Sequence, residues 1–160
     1  MVGIGYDIHR LVENRDLYLG SVKIKFPKGL AGHSDGDVLI HAICDALLGA
    51  ANLGDIGLHF PPDDEQYKDI ASIKLLKTVS RFLDNAQYSI KNIDTVVIAE
   101  APKILPYVDE IKRNIARTLN ISADAITVKG KTNEGLGDVG EGKAIAAFAI
   151  CEITRTHDTP

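Results

Sequence analysis

Residues 35–52 read DGDVLIHAICDALLGAAN, and this stretch decides the class of fold. Apolar side chains occupy most of the helical circumference, so the sequence predicts a helix that is largely buried. The polar residues Asp37, His41 and Asp45 recur every four positions and therefore share one face. Because a buried helix needs other elements to cover it, the stretch predicts a layered domain.

The rest of the chain supplies strands and further helices around this helix. Strands are predicted at residues 2–6, 18–20, 22–25, 93–99, 126–129 and 144–154. Helices are predicted at residues 71–85 and 106–119, and Ser34 and Asp35 are the expected caps of the first helix. Residues 1–160 are therefore expected to form a single α/β (α+β) sandwich domain. In it, a mixed four-stranded sheet and a small hairpin carry helices on one face.

Composition limits the classes of function. Hydrophobic residues make up 45% and charged residues 25% of 160 residues, and the net charge is -4. These values are typical of a globular domain and do not indicate a nucleic-acid partner. No apolar run reaches the ~20 residues that span a membrane, and the amino terminus lacks a secretory pattern. Cys44 and Cys151 are expected to be buried, reduced thiols. A cytoplasmic location is expected, or the plastid stroma if a transit peptide has been removed.

Two histidines and an aspartate have the spacing of a metal site. Asp7 and His9 are two residues apart, so they point to the same side of an extended chain. His41 needs a polar partner because the helix around it is apolar. Two imidazoles and one carboxylate are a typical set for catalytic zinc, and manganese or iron would also accept them. The alternative is an exposed His9 and a hydrogen-bonded core His41.

Two further segments suggest anion binding only weakly. Residues 135–143, GLGDVGEGK, match parts of two phosphate-binding patterns. The dinucleotide pattern lacks its following helix, and Ala144 stands where the phosphate loop requires Ser or Thr. An anion-binding loop and a plain tight turn both remain open. Residues 33–35, His-Ser-Asp, are adjacent and cannot align as a catalytic triad. They fit either a phosphate site at a helix amino terminus or a simple cap.

Ordered motifs along nearly the whole chain resemble one family. They are DIH at 7–9, HSDGD at 33–37, His41, DALLGA at 45–50, GDIG at 54–57, HFP at 59–61, AEAPK at 99–103 and TNE at 132–134. Together they resemble the 2-C-methyl-D-erythritol 2,4-cyclodiphosphate synthase family. The resemblance implies a lyase of non-mevalonate isoprenoid biosynthesis. In its reaction, the 2-phosphate of 4-diphosphocytidyl-2-C-methyl-D-erythritol 2-phosphate attacks the β-phosphorus, and CMP leaves. It also implies a homotrimer with active sites between adjacent subunits.

The resemblance assigns roles to individual residues. Asp7, His9 and His41 are expected to bind one zinc ion per subunit. Glu134 is expected to bind magnesium or manganese together with the diphosphate.

The same resemblance gives the substrate pocket. His33 and Thr132 correspond to positions that stabilise the transition state. The expected substrate contacts are Asp7, His9, His33, Ser34, Asp55, Gly57, Phe60, Asp64, Ala99, Pro102, Lys103, Leu105, Lys131, Thr132, Asn133 and Glu134.

Two positions depart from the family pattern. Glu141 stands where the family often has an arginine, near the trimer axis where some members hold an isoprenoid diphosphate. Anion binding in that axial cavity is therefore not expected unless Lys143 compensates. Pro62 replaces a common aspartate. Neither change is expected to abolish catalysis.

The residues agree with diphosphate chemistry independently of the resemblance. The attacking phosphate is largely ionised at neutral pH, so alignment and charge neutralisation matter more than a strong base. The substrate carries a charge of about -4. Because the chain is itself net negative, this charge must be neutralised locally, by metal ions, Lys103 and Lys131 or Lys143. A zinc phosphohydrolase and a non-catalytic metal- or cytidine-nucleotide-binding module are the alternatives. Glu134 discriminates best, because a second ion is superfluous for a binding module.

Overall fold

A five-stranded mixed sheet forms the centre of this computed structural model, which describes residues 1–61 and 63–156. The strands are β1 (Val2–Glu13), β2 (Leu17–Leu19), β3 (Val22–Ile24), β4 (Lys28–Leu30), β5 (Tyr88–Ile98), β6 (Ile126–Lys131) and β7 (Ala144–Arg155). The sheet order is β4-β1-β7-β5-β6, in which only β5 and β6 pair in parallel, and β2 and β3 form a separate hairpin. The predicted four-stranded sheet was wrong by one strand. The missing strand, β4, has three residues, too few for a periodic pattern to reveal it.

The three long helices cover one face of the sheet, as predicted. Two short helices were not predicted, and one of them packs on the opposite face, with Val139 against Ala144 and Ala146. The helices are α1 (Val38–Ala50), α2 (Ile56–His59), α3 (Ser72–Asn85), α4 (Val108–Leu119) and α5 (Gly137–Gly140). Short 3₁₀ turns occupy Glu65–Tyr67, Leu105–Tyr107 and Ala123–Ala125. The proline of the third predicted helix therefore lies in the 3₁₀ turn before α4. No helix within residues 1–61 and 63–156 is long and apolar enough to cross a membrane.

Strand β1 extends well beyond its prediction. It was expected to end at residue 6, but it continues to Glu13 and contains both Asp7 and His9. Pairing with β7 continues through His9↔Ile145 and Arg10↔Ala144, so backbone hydrogen bonds extend the strand past its polar residues. Since alternate side chains of a strand share a face, Asp7 and His9 point towards the helices.

Helix α1 begins later than predicted because Gly36 turns the chain. Gly36 has a φ of 72°, a left-handed conformation that an α-helix cannot include. The cap is Asp37, rather than Ser34 or Asp35, and its Oδ1 accepts a hydrogen bond from Ile40 N at 3.1 Å. The fully buried Asp37 also accepts hydrogen bonds from the β2–β3 turn, at 3.0 Å from Gly20 N and 2.7 Å from Ser21 N. Burial and the nearby charge of Asp35 raise the pKa of Asp37 to about 6, although these hydrogen bonds oppose the shift.

Two glycines let α1 lie directly on β1. A Cβ atom at Gly3 would overlap the carbonyl oxygen of Ala46, and one at Gly5 would overlap that of Ala42. The helix axis is therefore closer to the strand than larger residues would permit. This close approach brings the polar face of α1 next to the inward side chains of β1.

The opposite face of the sheet is apolar and exposed. Val2, Ile4, Tyr6 and Ile8 of β1 project from it, together with Phe148 and Ile150 of β7. Tyr6 and Phe148 pack against each other with ring centroids 4.6 Å apart. On the helix side, Cys44 and Cys151 are buried free thiols, as expected.

Candidate active site

Asp7, His9 and His41 converge on one point between β1 and α1. Asp7 Oδ2 lies 2.8 Å from His9 Nε2 and 2.9 Å from His41 Nδ1. The two imidazole nitrogens are 3.2 Å apart. Among the residues that the structure describes, these three form the one cluster of His, Cys, Asp or Glu with metal-ligand spacing. Of the alternative, the exposed His9 is wrong, because His9 is half-buried, whereas His41 does have the hydrogen-bond partners that the alternative expected.

The donor geometry fits a tetrahedral ion. Bonds of about 2.0–2.1 Å to zinc in tetrahedral geometry place neighbouring donors about 3.3 Å apart. The observed separations of 2.8–3.2 Å are close to this value. His9 Nδ1 donates to the carbonyl oxygen of Ala31, which leaves Nε2 as a free lone pair facing the cluster. Three protein ligands leave the fourth position open, as in catalytic zinc sites.

The cluster also perturbs its own ionisation. Burial opposes charge on Asp7, but hydrogen bonds from His41 and His9 outweigh it and hold the pKa of Asp7 well below its ordinary value. Burial likewise acts to lower the pKa of His9, and the hydrogen bond and charge of Asp7 raise it overall. A carboxylate is therefore maintained at this point, and His9 attracts a proton when no cation is bound.

A cavity of about 230 Å³ adjoins the cluster, and we refer to it as the metal-side cavity. Its lining is His9, His33, Ser34, His41, Ile56, Gly57, Phe60, Tyr67, Ile70 and Leu75. The structure thus brings together six predicted site residues: His9, His33, Ser34, His41, Gly57 and Phe60.

Two other predicted substrate contacts, Asp55 and Asp64, lie next to residues that line the metal-side cavity. Asp55 caps α2 by accepting a hydrogen bond from Leu58 N at 2.8 Å. The carbonyl oxygen of Asp64 accepts a hydrogen bond from His33 Nε2 at 3.3 Å. The departure noted at Pro62 lies outside the described residues.

A second cavity of about 610 Å³, which we call the lysine cavity, opens at the carboxyl ends of β5 and β6. Its lining is Ala99, Glu100, Pro102, Lys103, Ile104, Leu105, Val108, Val128, Lys129, Gly130, Lys131 and Thr132. It contains the predicted residues Ala99, Pro102, Lys103, Leu105, Lys131 and Thr132. Within the described residues of one chain, the two cavities share no lining residue.

A tight turn next to the lysine cavity carries Glu134. Thr132 Oγ1 donates to Glu134 Oε1 at 3.1 Å, and Glu134 has a φ of 53°. Glu100 Oε1 accepts hydrogen bonds from Asn133 N at 2.7 Å and from Gly135 N at 3.4 Å, which holds the turn in place. Glu100 is half-buried and lies within the AEAPK motif at 99–103, but sequence reasoning gave it no role of its own.

Asp37 and Asp45, which the sequence places on the same helix face as His41, have structural roles. Asp37 caps α1, and Asp45 Oδ1 accepts a hydrogen bond from Ile56 N at 2.8 Å. Burial raises the pKa of Asp45. Because Asp37 accepts the hydrogen bond from Ile40 N, the interpretation of Ser34 as a simple cap of α1 is wrong.

The glycine-rich segment folds into the single-turn helix α5 and the turns that flank it. Its amides donate to carbonyl oxygens of the same segment: Gly140 N to Leu136, Glu141 N to Gly137, Gly142 N to Val139 and Lys143 N to Asp138. These amides are therefore not available to an anion. Lys143 forms an ion pair with Glu141 and lies 3.9 Å from Asp138, so its charge is directed to its own segment.

Sequence reasoning also missed Ser72. Its hydroxyl lies 2.9 Å from His41 Nε2, and it bonds Asp35 as well. Ser72 opens α3, and its position in the sequence suggested only a helix start.

This fold and this cluster fit a small metal-dependent enzyme of the α+β class. The model of the YgbB family matches residues 1–154, and the chain belongs to that family. The 2-C-methyl-D-erythritol 2,4-cyclodiphosphate synthase of Lachnospira eligens is 55% identical over 152 residues, covering 95% of this chain and 83% of the relative. The enzyme of the same name from Clostridium perfringens is 54% identical over 154 residues, covering 96% and 99%.

Solved structures agree with these relatives. IspF of Plasmodium falciparum, in complex with CDP, matches with a TM-score of 0.84 and 40% identity, covering 96% of this chain and 95% of that chain. The bifunctional IspDF of Campylobacter jejuni matches with a TM-score of 0.93 and 39% identity over 96% of this chain. This chain spans 42% of that longer protein. The family resemblance expected from the ordered motifs is confirmed.

Proposed function

We propose that this chain is a phosphorus-oxygen lyase of non-mevalonate isoprenoid biosynthesis. It converts 4-diphosphocytidyl-2-C-methyl-D-erythritol 2-phosphate into 2-C-methyl-D-erythritol 2,4-cyclodiphosphate and CMP. Relatives more than 50% identical over 95% of the chain are named for this product. The observation that carries the proposal is the convergence of Asp7, His9 and His41 beside a small cavity.

The metal of this cluster is proposed to be zinc, one ion per chain. When bound, it would supply Lewis acidity and charge neutralisation to the β-phosphate. Asp7 and the two imidazoles would hold it with one position open for a phosphate oxygen. Glu134 is proposed to hold magnesium or manganese with the diphosphate, because its carboxylate is an oxygen ligand suited to hard cations.

The two cavities suggest how the substrate is divided. The metal-side cavity suits the small methylerythritol phosphate portion, with Ser34, Asp55, Gly57, Phe60 and Asp64 around it. The larger lysine cavity suits the cytidine diphosphate portion, because Lys103 and Lys131 offer cations beside an apolar lining. Asn133, in the turn next to the lysine cavity, is proposed to contact the same portion.

Alignment rather than base catalysis is the main contribution of the protein. The attacking phosphate is already ionised near neutral pH, so no side chain has to remove its proton. His33, at the metal-side cavity, and Thr132, at the lysine cavity, are proposed to donate hydrogen bonds to charge that develops in the transition state.

The active site is proposed to form between subunits of a homotrimer. A single chain keeps the metal-side and lysine cavities apart, whereas one substrate must reach both. The exposed apolar sheet face, which includes Ile4, Tyr6, Phe148 and Ile150, is of the kind that subunits bury on association. The cytoplasm is the proposed location, since the relatives are bacterial.

Phosphorus NMR tests the reaction directly. The protein is incubated with the diphosphocytidyl substrate, zinc and magnesium, and an Asp7→Asn variant serves as the matched control. We expect a cyclic diphosphate and an equal amount of CMP from the parent protein only. Inorganic phosphate or a linear product would instead indicate a phosphohydrolase, and nucleotide binding without turnover would indicate a binding module.

A further inference from the structure

Ser72 connects the metal cluster to a second carboxylate. It is the first residue of α3 and is fully buried. Its hydroxyl lies 2.9 Å from His41 Nε2 and donates to Asp35 Oδ1 at 2.5 Å. Its backbone N donates to Asp35 Oδ2 at 3.0 Å. Because α3 has no side-chain cap of its own, Asp35 satisfies its first amide from a distant part of the chain.

The direction of each hydrogen bond follows from the available protons. A carboxylate only accepts hydrogen bonds, so the single hydroxyl proton of Ser72 is directed at Asp35. Ser72 Oγ then offers a lone pair to His41, and His41 Nε2 must be the donor. In neutral imidazole one nitrogen carries the proton, so Nδ1 is left as a free lone pair. That atom is the one that faces Asp7 and His9.

This arrangement opposes a competing preference. Asp7 Oδ2 lies 2.9 Å from His41 Nδ1 and would by itself favour a proton on that nitrogen. Ser34 Oγ lies 3.1 Å from His41 Nε2 and 3.3 Å from Ser72 Oγ, and it accepts from Gly36 N at 3.2 Å. With its own proton directed at Ser72 Oγ, it is a second acceptor for His41 Nε2. Ser72 has the shorter contact and the fixed orientation.

We propose that Ser72, oriented by Asp35, is a positioning residue that keeps the proton of His41 on Nε2 and so keeps Nδ1 available as a metal ligand. The inference rests on the proposed metal site. Ser72 therefore contributes to the metal affinity of this protein, even though it does not line the metal-side cavity.

Zinc affinity is the first test. Competition with a chromophoric chelator is measured for the parent, Ser72→Ala and Ser80→Ala, a serine-to-alanine change elsewhere on α3. We expect Ser72→Ala to bind zinc about 10–100-fold more weakly, the usual loss for a partner of a metal-bound histidine. Ser80→Ala should match the parent. Binding by Ser72→Ala within twofold of the parent would overturn the proposal and leave the metal site standing.

The second test needs no metal. Histidine-labelled protein is stripped with a chelator, and long-range proton–nitrogen NMR at pH 8.5 reports which nitrogen of His41 is protonated. We expect Nε2 in the parent and a shift towards Nδ1 in Ser72→Ala, because Asp7 is then opposed only by Ser34. A parent protonated on Nδ1 would overturn the proposal, whether or not the variant folds. Failure of the parent to bind zinc would count against the metal site alone.

Asp35→Asn gives an independent variant. An amide keeps the shape of the carboxylate but replaces one acceptor with a donor, so Ser72 loses part of its orientation. We expect weaker zinc binding in the same direction as Ser72→Ala, and a cobalt-substituted protein should show an altered visible spectrum. An unchanged spectrum and affinity would contradict the role of Asp35.

Discussion

Asp7 Oδ2 and His41 Nδ1 lie 2.9 Å apart, although 34 positions separate the two residues in the chain. The contact exists because α1 lies directly on the backbone of β1 at Gly3 and Gly5. The metal cluster therefore depends on the packing of one helix against one strand, as well as on its own three side chains.

Replacing His41 with Ala should remove the bound zinc. The parent is expected to hold one zinc per chain by elemental analysis, and His41→Ala none, because two remaining ligands bind far more weakly than three. His59→Ala is the matched control, since His59 Nε2 bonds the carbonyl oxygen of Leu53 at 2.7 Å and lies outside the cluster. Retention of one zinc by His41→Ala would contradict the site.

The spacing between α1 and β1 can be tested with two glycines. Gly5→Ala should destabilise the fold by about 2 kcal/mol or more, because its Cβ would meet the backbone of Ala42. A Cβ atom added at Gly49, in α1, would meet no other atom. Gly49→Ala should therefore stabilise the helix by about 0.5–1 kcal/mol. Chemical denaturation measures both. Equal effects of the two substitutions would argue against a close helix–strand contact.

The stability of the metal-free protein should fall as the pH rises above about 6.5, the ordinary pKa of histidine. The pKa of His9 is raised in the fold, so its contribution is complete below that pH and is lost as the pH rises through the folded-state value. The pKa of Asp7 is lowered, so its contribution is lost only in strong acid.

Zinc should reverse this trend, because it competes with the proton on His9. We expect the increase in Tm produced by zinc to grow between pH 5.5 and 8.5. Melting curves with chelator and with zinc measure the difference. An increase in Tm that is the same at both pH values would contradict the competition.

Removing the charge of Lys103 should weaken substrate binding. Lys103→Ala is expected to raise KM about tenfold or more, because hydrogen bonds to charged groups contribute about 1.5–3 kcal/mol. Lys91→Ala makes the same charge change on the exposed surface of β5, away from both cavities, and should leave KM unchanged. Steady-state kinetics separate the two. Equal effects would mean that net charge, rather than the lysine cavity, attracts the substrate.

The apolar sheet face should control assembly. Light scattering is expected to give three times the 17.3-kDa chain mass for the parent. Ile150→Asp should give single chains, because a charge would be buried without a partner. Leu58→Asp, at an exposed position on α2, should remain trimeric. A parent of single-chain mass would contradict the assembly.

Local patterns in the sequence were sufficient to predict the main secondary-structure elements. The apolar circumference of residues 35–52 predicted a buried helix, and α1 is buried on most sides. The two-residue spacing of Asp7 and His9 predicted a shared side even though the end of β1 was wrong, because alternation depends only on an extended backbone. The choice of strand for residues 144–154 was confirmed by β7.

The sequence by itself determined the three long helices, most strands, the cluster of Asp7, His9 and His41 and the family, since these depend on neighbouring residues and ordered motifs. Only the tertiary structure decided that Lys28–Leu30 pairs with β1, that Asp37 caps α1 and that Ser72 meets His41. Each of these contacts depends on a backbone turn or on segments far apart in the chain that pack together. The residues of the cluster could therefore be predicted from their spacing together with the ordered motifs, whereas the contact of Ser72 with His41 required the packing of α3 beside α1.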